Sequence, residues 1–302
     1  MNTILVTGAT SCIAVSLIKR LLKDGYYVHA VVRPKSDHLM RLPQHENLRI
    51  YELEMSEIHK LDGLVINTID AVYHFAWEGV RGAKRDDKML QEKNYHASIK
   101  CVKAAVESGI PYFIGIGSQA EYGITEGLIT EDACLRPVTE YGKMKARTFY
   151  TGQKICDGTK TQFVWARIFS VYGREDDKNT LLMQCIEKMK KNETIDLSPC
   201  EHMWDYTYIE DVSDALLLLL KKRVPAGAYN ISYGEPHVLK EYVLRLKQMI
   251  GSDSQLNFGK IPYGNQGVIQ MNPCIDKIRK AVGWEPKTDF ESGIEKILEE
   301  EQ

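Results

Sequence analysis

The chain has 302 residues, 44% hydrophobic and 26% charged, with a formal net charge of −2, enough for one large domain or two intimate ones with a sizeable core. That charge and a pI near 6.5 exclude the basic signature of nucleic-acid or anionic-membrane binding, and the longest apolar run, Ala215 to Leu220, is too short to span a bilayer. The N-terminus lacks the basic, apolar and small-residue order of a signal peptide, and seven scattered cysteines form no CxxC and no disulfide frame, so the expectation is a cytoplasmic protein with reduced thiols and no structural metal.

Thr3 to Thr7 reads as a short buried parallel strand. It feeds the turn Gly8-Ala-Thr-Ser-Cys-Ile-Ala14, a helix from Val15 to Lys23 with apolar residues at 15, 17, 18, 21 and 22, and a second strand from Tyr26 to Val32. Strand, tight turn, helix and strand within some thirty residues make the first βαβ unit of a dinucleotide-binding fold. Further strands fit Leu48 to Leu53, Ala71 to Ala76, Tyr112 to Ile116 and Thr161 to Phe169, and helices fit Lys88 to Ser108 and Gly142 to Asp157. Gly109 and Pro111 stop the first of these helices. Alternation this regular predicts an α/β fold, a Rossmann-type doubly wound parallel sheet covered on both faces.

After Tyr172-Gly173 the pattern loosens. Helices are expected at Thr180 to Lys191, Ile209 to Lys222, Leu239 to Ile250, Pro273 to Val282 and Phe290 to Glu299, with a short strand at Ala228 to Ile231 and a turn at 283–286. No repeat or low-complexity tether divides the chain. The expected division is residues 1–168 for the dinucleotide-binding part, with part of 205–233 returning to it, and 169–302 for a smaller C-terminal α/β substrate lobe.

The phosphate turn keeps one of the three glycines of the dinucleotide fingerprint, in the spacing Gly8-x-x-Ser11-x-x-Ala14. Gly8 can make the tight turn, Ser11 brings a hydroxyl where the backbone nears the pyrophosphate, and Ala14 permits close helix–sheet packing. The amides around Cys12 and Ile13 open the helix as an anion site. About twenty residues past the turn, where an acid would grip a ribose hydroxyl, stands Arg33, followed by Pro34, Lys35 and Ser36. A guanidinium there suits a 2′-phosphate, which favours NADP, with NAD as the alternative.

Tyr141-Gly-Lys-Met-Lys145 places a phenol and an ammonium four residues apart, one helical turn on one face. An ammonium beside a phenol favours the phenolate, and a tyrosine tuned in that way can exchange a proton while a hydride moves to or from a carbonyl carbon. Ser118, in Gly-Ser-Gln-Ala-Glu-Tyr-Gly, would hydrogen-bond the same oxygen.

These residues, with Tyr73-His-Phe-Ala76, Asn94, Arg167-Ile-Phe-Ser-Val-Tyr-Gly173, Trp204-Asp-Tyr-Thr-Tyr-Ile-Glu-Asp211 and Gly283-Trp-Glu-Pro286, resemble the extended short-chain dehydrogenase/reductase family, in its nucleotide-sugar epimerase, dehydratase and reductase group. The resemblance covers nearly the whole chain and implies a catalytic triad of Ser118, Tyr141 and Lys145. It implies that Gly8, Thr10, Ser11, Cys12 and Ile13 meet the cofactor's phosphates, with Arg33 at the ribose and Glu54 and Met55 by the adenine. Phe75, Ala76, Trp77 and Ile168 would line the cofactor cleft, with Tyr141 and Lys145 also touching the cofactor, and Trp77, Gln119, Ser170 and Trp204 would meet a nucleotide sugar between the lobes.

Dehydratases of the group follow the catalytic hydroxyl residue with Asp-Glu, whereas Gln119 and Ala120 stand here, which argues against 4,6-dehydration. Trp204 and Ser170 replace a frequent phosphate-binding arginine and a frequent substrate asparagine, leaving Arg174, Lys178 and Arg279 as candidates for the diphosphate. The leading expectation is reduction of a nucleotide-linked 4-keto sugar by NADPH. A 4-epimerase with bound NAD is the alternative, and a non-catalytic dinucleotide-binding regulator the reading from another class. Relatives of this group dimerise through helices matching 88–108 and 142–157, so a homodimer is expected.

Overall fold

The structure, a computed structural model, describes residues 3–55, 57, 68–174, 176–263 and 268–299. Its strands are β1 (Thr3–Thr7), β2 (Tyr27–Val32), β3 (Leu48–Glu52), β4 (Ala71–His74), β5 (Tyr112–Ser118), β6 (Gln162–Ile168), β7 (Ser170–Tyr172), β8 (Ile195–Leu197), β9 (Met203–Trp204), β10 (Tyr206–Tyr208), β11 (Gly227–Ile231), β12 (His237–Val238) and β13 (Leu256–Phe258). The described helices are α1 (Cys12–Lys23), α2 (Lys88–Glu107), α3 (Glu140–Cys156), α4 (Leu181–Lys190), α5 (Ile209–Lys221), α6 (Leu239–Ile250), α7 (Asp276–Val282) and α8 (Phe290–Glu299).

Seven strands pair in the order β11-β6-β5-β4-β1-β2-β3, every pair parallel. The order reverses between β1 and β4, the switch point at which α/β sheets bind ligands beyond the carboxyl ends of the strands. The doubly wound α/β fold expected from the sequence is thus the fold observed. One face is covered by α1 and α5, which pack Leu17, Ile18 and Leu21 with Val212, Leu216 and Leu219; Arg20 Nε donates to Asp214 Oδ1 across them at 2.6 Å. On the other face α2 and α3 lay Val102, Ala105 and Phe149 against Phe113, Phe163 and Trp165. Residues after β6 divide their allegiance: α5 and β11 return to the sheet, while α4, α6 and α8 form a separate core with Tyr172 and Tyr208.

Three helix starts differ from the sequence reading by two residues or more. Helix α1 begins at Cys12 rather than Val15, because Ser11 is already its N-cap. Helix α3 begins at Glu140, so Tyr141 lies inside it; the Thr139 hydroxyl caps it by accepting from the Gly142 amide at 3.1 Å. The helix expected from Pro273 begins at Asp276. The two-stranded pairs β7–β10, β9–β12 and β8–β13 went unread, since strands of two or three residues carry no periodicity. No helix among the described residues is long and apolar enough to cross a membrane.

Candidate active site

Three constraints set the reacting end of the cleft. Ser118 ends β5, and its amide donates to Glu121 Oε1 at 2.8 Å while its hydroxyl accepts from the Ala120 amide at 3.2 Å, a turn closed on both sides. Gly142 lets α3 press onto that turn: a Cβ there would stand 2.4 Å from the Ala120 carbonyl oxygen. The neighbouring Tyr141 is thereby brought to Ser118, whose side chain draws the phenol's titration down. One turn on, Lys145 Nζ donates to the Ile116 carbonyl at 2.7 Å and lies 3.9 Å from the centre of the Trp77 ring. Trp77 in turn meets Tyr141 edge-on at 6.1 Å and donates through Nε1 to Gln91 Oε1 at 2.8 Å.

The electrostatics correct one expectation. Burial lifts the Tyr141 phenol above its ordinary value of 10, the Ser118 side chain and the Arg85 guanidinium pull it down, Glu121 pushes it up, and the net shift is upward. Desolvation therefore outweighs the acidification expected from Lys145, whose own ammonium burial draws down from 10.5 to about 7, partly opposed by the Glu121 carboxylate. Below about 7 both folded and unfolded chains carry the charge, so its full burial cost is present. Between about 7 and 10.5 only the unfolded chain holds the proton, and stability rises with pH in that window. Lys145→Met accordingly stabilises the protein without added cofactor more at about pH 6 than at about pH 10, read from thermal midpoints of variant and wild type across the range; a pH-independent difference contradicts the depressed ammonium.

From this floor a single cleft of about 1740 Å³ runs back to the phosphate turn, more than the roughly 300–1,000 Å³ that one ordinary ligand needs. The residues expected to form the triad and to meet cofactor and sugar border it: Gly8, Thr10, Ser11, Cys12 and Ile13 at the turn, Arg33, Glu54 and Met55 beyond β2 and β3, Phe75, Ala76, Trp77 and Ile168 along the middle, and Ser118, Gln119, Tyr141, Lys145, Ser170 and Trp204 at the far end. The turn suits a dinucleotide on its own geometry. Gly8 takes φ +65°, and a Cβ on it would meet Ala76 N at 2.6 Å. No acid stands in the first turn of the twelve-residue α1, and the Ser11 hydroxyl makes no capping bond, so the helix's own first turn leaves its positive end open to an anion. Arg33 is exposed and pairs with Glu78 at 3.3 Å.

Of the three cations considered for a diphosphate, only Lys178 borders the cleft. Arg174 instead donates to the Lys296 carbonyl at 3.1 and 3.2 Å, and Arg279 pairs with Asp276 and Glu285. The cleft brings in three arginines that the sequence reading passed over. Arg41 donates to Cys12 Sγ at 3.5 Å; Arg81 reaches Asp176 and Asp177 across the cleft mouth at 2.9 and 3.1 Å; Arg85 Cζ lies 5.1 Å from the centre of the Tyr141 ring. The signal available for the last two was the basic run Val80-Arg-Gly-Ala-Lys-Arg85 directly after β4.

A fold switch point, a glycine turn opening a helix and a Ser–Tyr–Lys cluster thus border one cleft. The model of the NAD dependent epimerase/dehydratase family matches residues 4–232, and the chain belongs to that family. It is 27% identical to the CDP-abequose synthase of Salmonella muenchen over 98% of this chain and 96% of that one. It is 26% identical to the dTDP-4-dehydro-6-deoxyglucose reductase of Escherichia coli, again over 98% and 96%. The UDP-glucuronic acid 4-epimerase of Bacillus cereus, solved with UDP-glucuronic acid and NAD, superposes with a TM-score of 0.86 at 21% identity over 98% of both chains.

Proposed function

We propose that this chain is an NADPH-dependent reductase acting on the 4-keto group of a nucleotide-linked sugar. The observation that carries this reading is a Tyr141 phenol that shares one cleft with Ser118 and Lys145 and is kept in its acid form by burial. Reduction of a ketone consumes a proton, and a protonated phenol at the carbonyl is the group to give it. Bound NADPH supplies the hydride. Ser118 donates to the carbonyl oxygen and fixes its place, Tyr141 passes its proton to that oxygen, and Lys145 holds the cofactor's ribose. Gly8, Thr10, Ser11, Cys12 and Ile13 take the pyrophosphate, Glu54 and Met55 border the adenine, and Phe75, Ala76, Trp77 and Ile168 shield the nicotinamide end from water. Gln119, Ser170 and Trp204 face the sugar nucleotide. Dehydration finds no support: Gln119 and Ala120 follow Ser118, and the next carboxylate, Glu121, is fully buried in a salt bridge to Arg167. The similarity to a relative named as a reductase of a 4-dehydro sugar supports the reading.

Arg33 sets the choice of cofactor. Its exposed pairing with Glu78 is a weak one in water, and a 2′-phosphate displaces it. A hydrogen-bonded charge is worth about 1.5–3 kcal/mol, so NADPH binds roughly ten- to a hundredfold more tightly than NADH, and Arg33→Glu removes that preference; equal affinities in the wild type refute it. Fluorescence titration of each reduced nucleotide measures both. The reaction itself is tested by following loss of nicotinamide absorbance with a panel of nucleotide-linked 4-keto sugars. Net consumption of NADPH is expected. Interconversion of C4 epimers without net consumption, or binding without turnover, overturns the reductase reading.

A further inference from the structure

We propose that Arg85 is a positioning residue for the proton-transferring phenol: a permanent cation, carried on the loop after β4, that faces the Tyr141 ring and favours its ionised form. This rests on Tyr141 being the group that exchanges the proton. The guanidinium carbon lies 5.1 Å from the ring centre, within the range of a cation resting over an aromatic face. Among the described residues Arg85 has no ion pair and no hydrogen bond, and its Nε is buried without a partner. Its two acidic neighbours are committed elsewhere, Asp86 to the Glu140 amide at 3.2 Å and Asp87 to the Leu90 amide at 3.1 Å.

The loop that presents it is a built one. The buried Gln91 amide of α2 donates to the carbonyls of Gly79 and Lys84 at 3.0 and 2.9 Å. Asn94 clamps Glu78 from both sides, donating to its carbonyl at 2.8 Å and accepting from its amide at 3.1 Å. The Asp86–Glu140 bond then pins the far end of the loop to the start of α3, the helix that bears Tyr141. A direct hydrogen bond therefore joins the loop to the helix that carries the phenol.

The remaining groups facing Tyr141 leave this task to Arg85. Ser118, from β5, draws the phenol's titration down, and Glu121, from the turn after β5, opposes its ionisation. Lys145 Nζ is farther from the ring centre, at 5.8 Å, donates to Ile116 and sits on the Trp77 face, and loses its charge near neutral pH. A guanidinium does not lose its charge in a protein. Glu140 is engaged by Lys143.

The test is site-resolved titration. Ring-fluorinated tyrosine in place of the sixteen tyrosines brings phenol titration into the range where the fold is intact, and Tyr141→Phe identifies the Tyr141 signal by fluorine NMR. In Arg85→Met the Tyr141 midpoint rises by about one pH unit or more, the effect of removing an opposite charge at this range, and Arg85→Lys returns it most of the way. A midpoint in Arg85→Met equal to wild type overturns the proposal. So does a rise that Arg85→Lys shows equally, which marks packing and not charge. Neither substrate nor cofactor enters the measurement, so its failure is distinct from failure of the reductase reading, which only the sugar panel reports.

Discussion

Tyr141→Phe lowers the rate of NADPH-dependent reduction by about 10²- to 10⁴-fold, the span commanded by a positioned general acid, equivalent to roughly 3–5 kcal/mol of barrier. The substitution is clean because of what surrounds the ring. Phenylalanine keeps the edge contact with Trp77 and the face presented to Arg85, and the Ser118 hydroxyl retains the Ala120 amide. Only the phenolic oxygen is lost. The rate constant for hydride transfer in a single turnover therefore falls, while the affinity for NADPH stays within about twofold, because an interaction made only in the transition state does not contribute to ground-state binding. Lys145→Met behaves differently: it weakens NADPH binding as well as the rate, since the ammonium that now rests on Trp77 and Ile116 is assigned to the ribose. A Tyr141→Phe enzyme with a rate within about threefold of wild type at neutral pH shows that the proton comes from another group.

That pair of residues also shows what the sequence made legible. The strands, the phosphate turn and the Ser118, Tyr141 and Lys145 positions rest on local patterns, namely continuous apolar runs, a glycine after a strand and an i,i+4 spacing, and the structure gathers them along one cleft. The direction of the Tyr141 shift was not local. Spacing puts an ammonium one turn from the phenol, but its destination depends on the Ile116 carbonyl and the Trp77 ring, and the burial that dominates the phenol comes from the tertiary fold. Arg85 was unreadable for the same reason: its place depends on Gln91 and Asn94, buried polar residues of α2 whose amides shape a loop up to sixteen residues upstream. Arg174 and Arg279 failed in the opposite sense. They looked available in sequence, and the fold spends one on the Lys296 carbonyl and the other on Asp276 and Glu285.

Glu121→Ala destabilises the protein by about 3–5 kcal/mol, the cost of stripping the partner from a buried charge. Arg167 is 1% and Glu121 0% exposed, and the carboxylate serves three donors at once: Arg167 Nε at 2.9 Å, Trp165 Nε1 at 2.9 Å and the Ser118 amide at 2.8 Å. Arg167 continues inward to the Tyr122 hydroxyl at 3.0 Å and the Glu131 carbonyl at 3.1 Å, and Tyr122 donates to Asn230 Oδ1 at 2.6 Å, so the network ties β5, β6 and β11 together directly beneath Ser118. Removing the carboxylate leaves a guanidinium, an indole N–H and a strand-end amide unpaired in a site closed to bulk solvent. A chain of this size loses about 2–4 °C per kcal/mol, so the thermal midpoint falls by roughly 10 °C. The double variant Glu121→Gln, Arg167→Met is expected to be more stable than Glu121→Ala, because taking both charges away removes the desolvation cost together with the attraction. It nevertheless loses activity, since a neutral amide holds the Ser118 turn less firmly than a carboxylate that accepts charge-assisted bonds. Calorimetric midpoints for wild type and both variants decide the matter. A Glu121→Ala midpoint equal to that of the wild type rules out the buried pair as the foundation on which the Ser118 end of β5 stands.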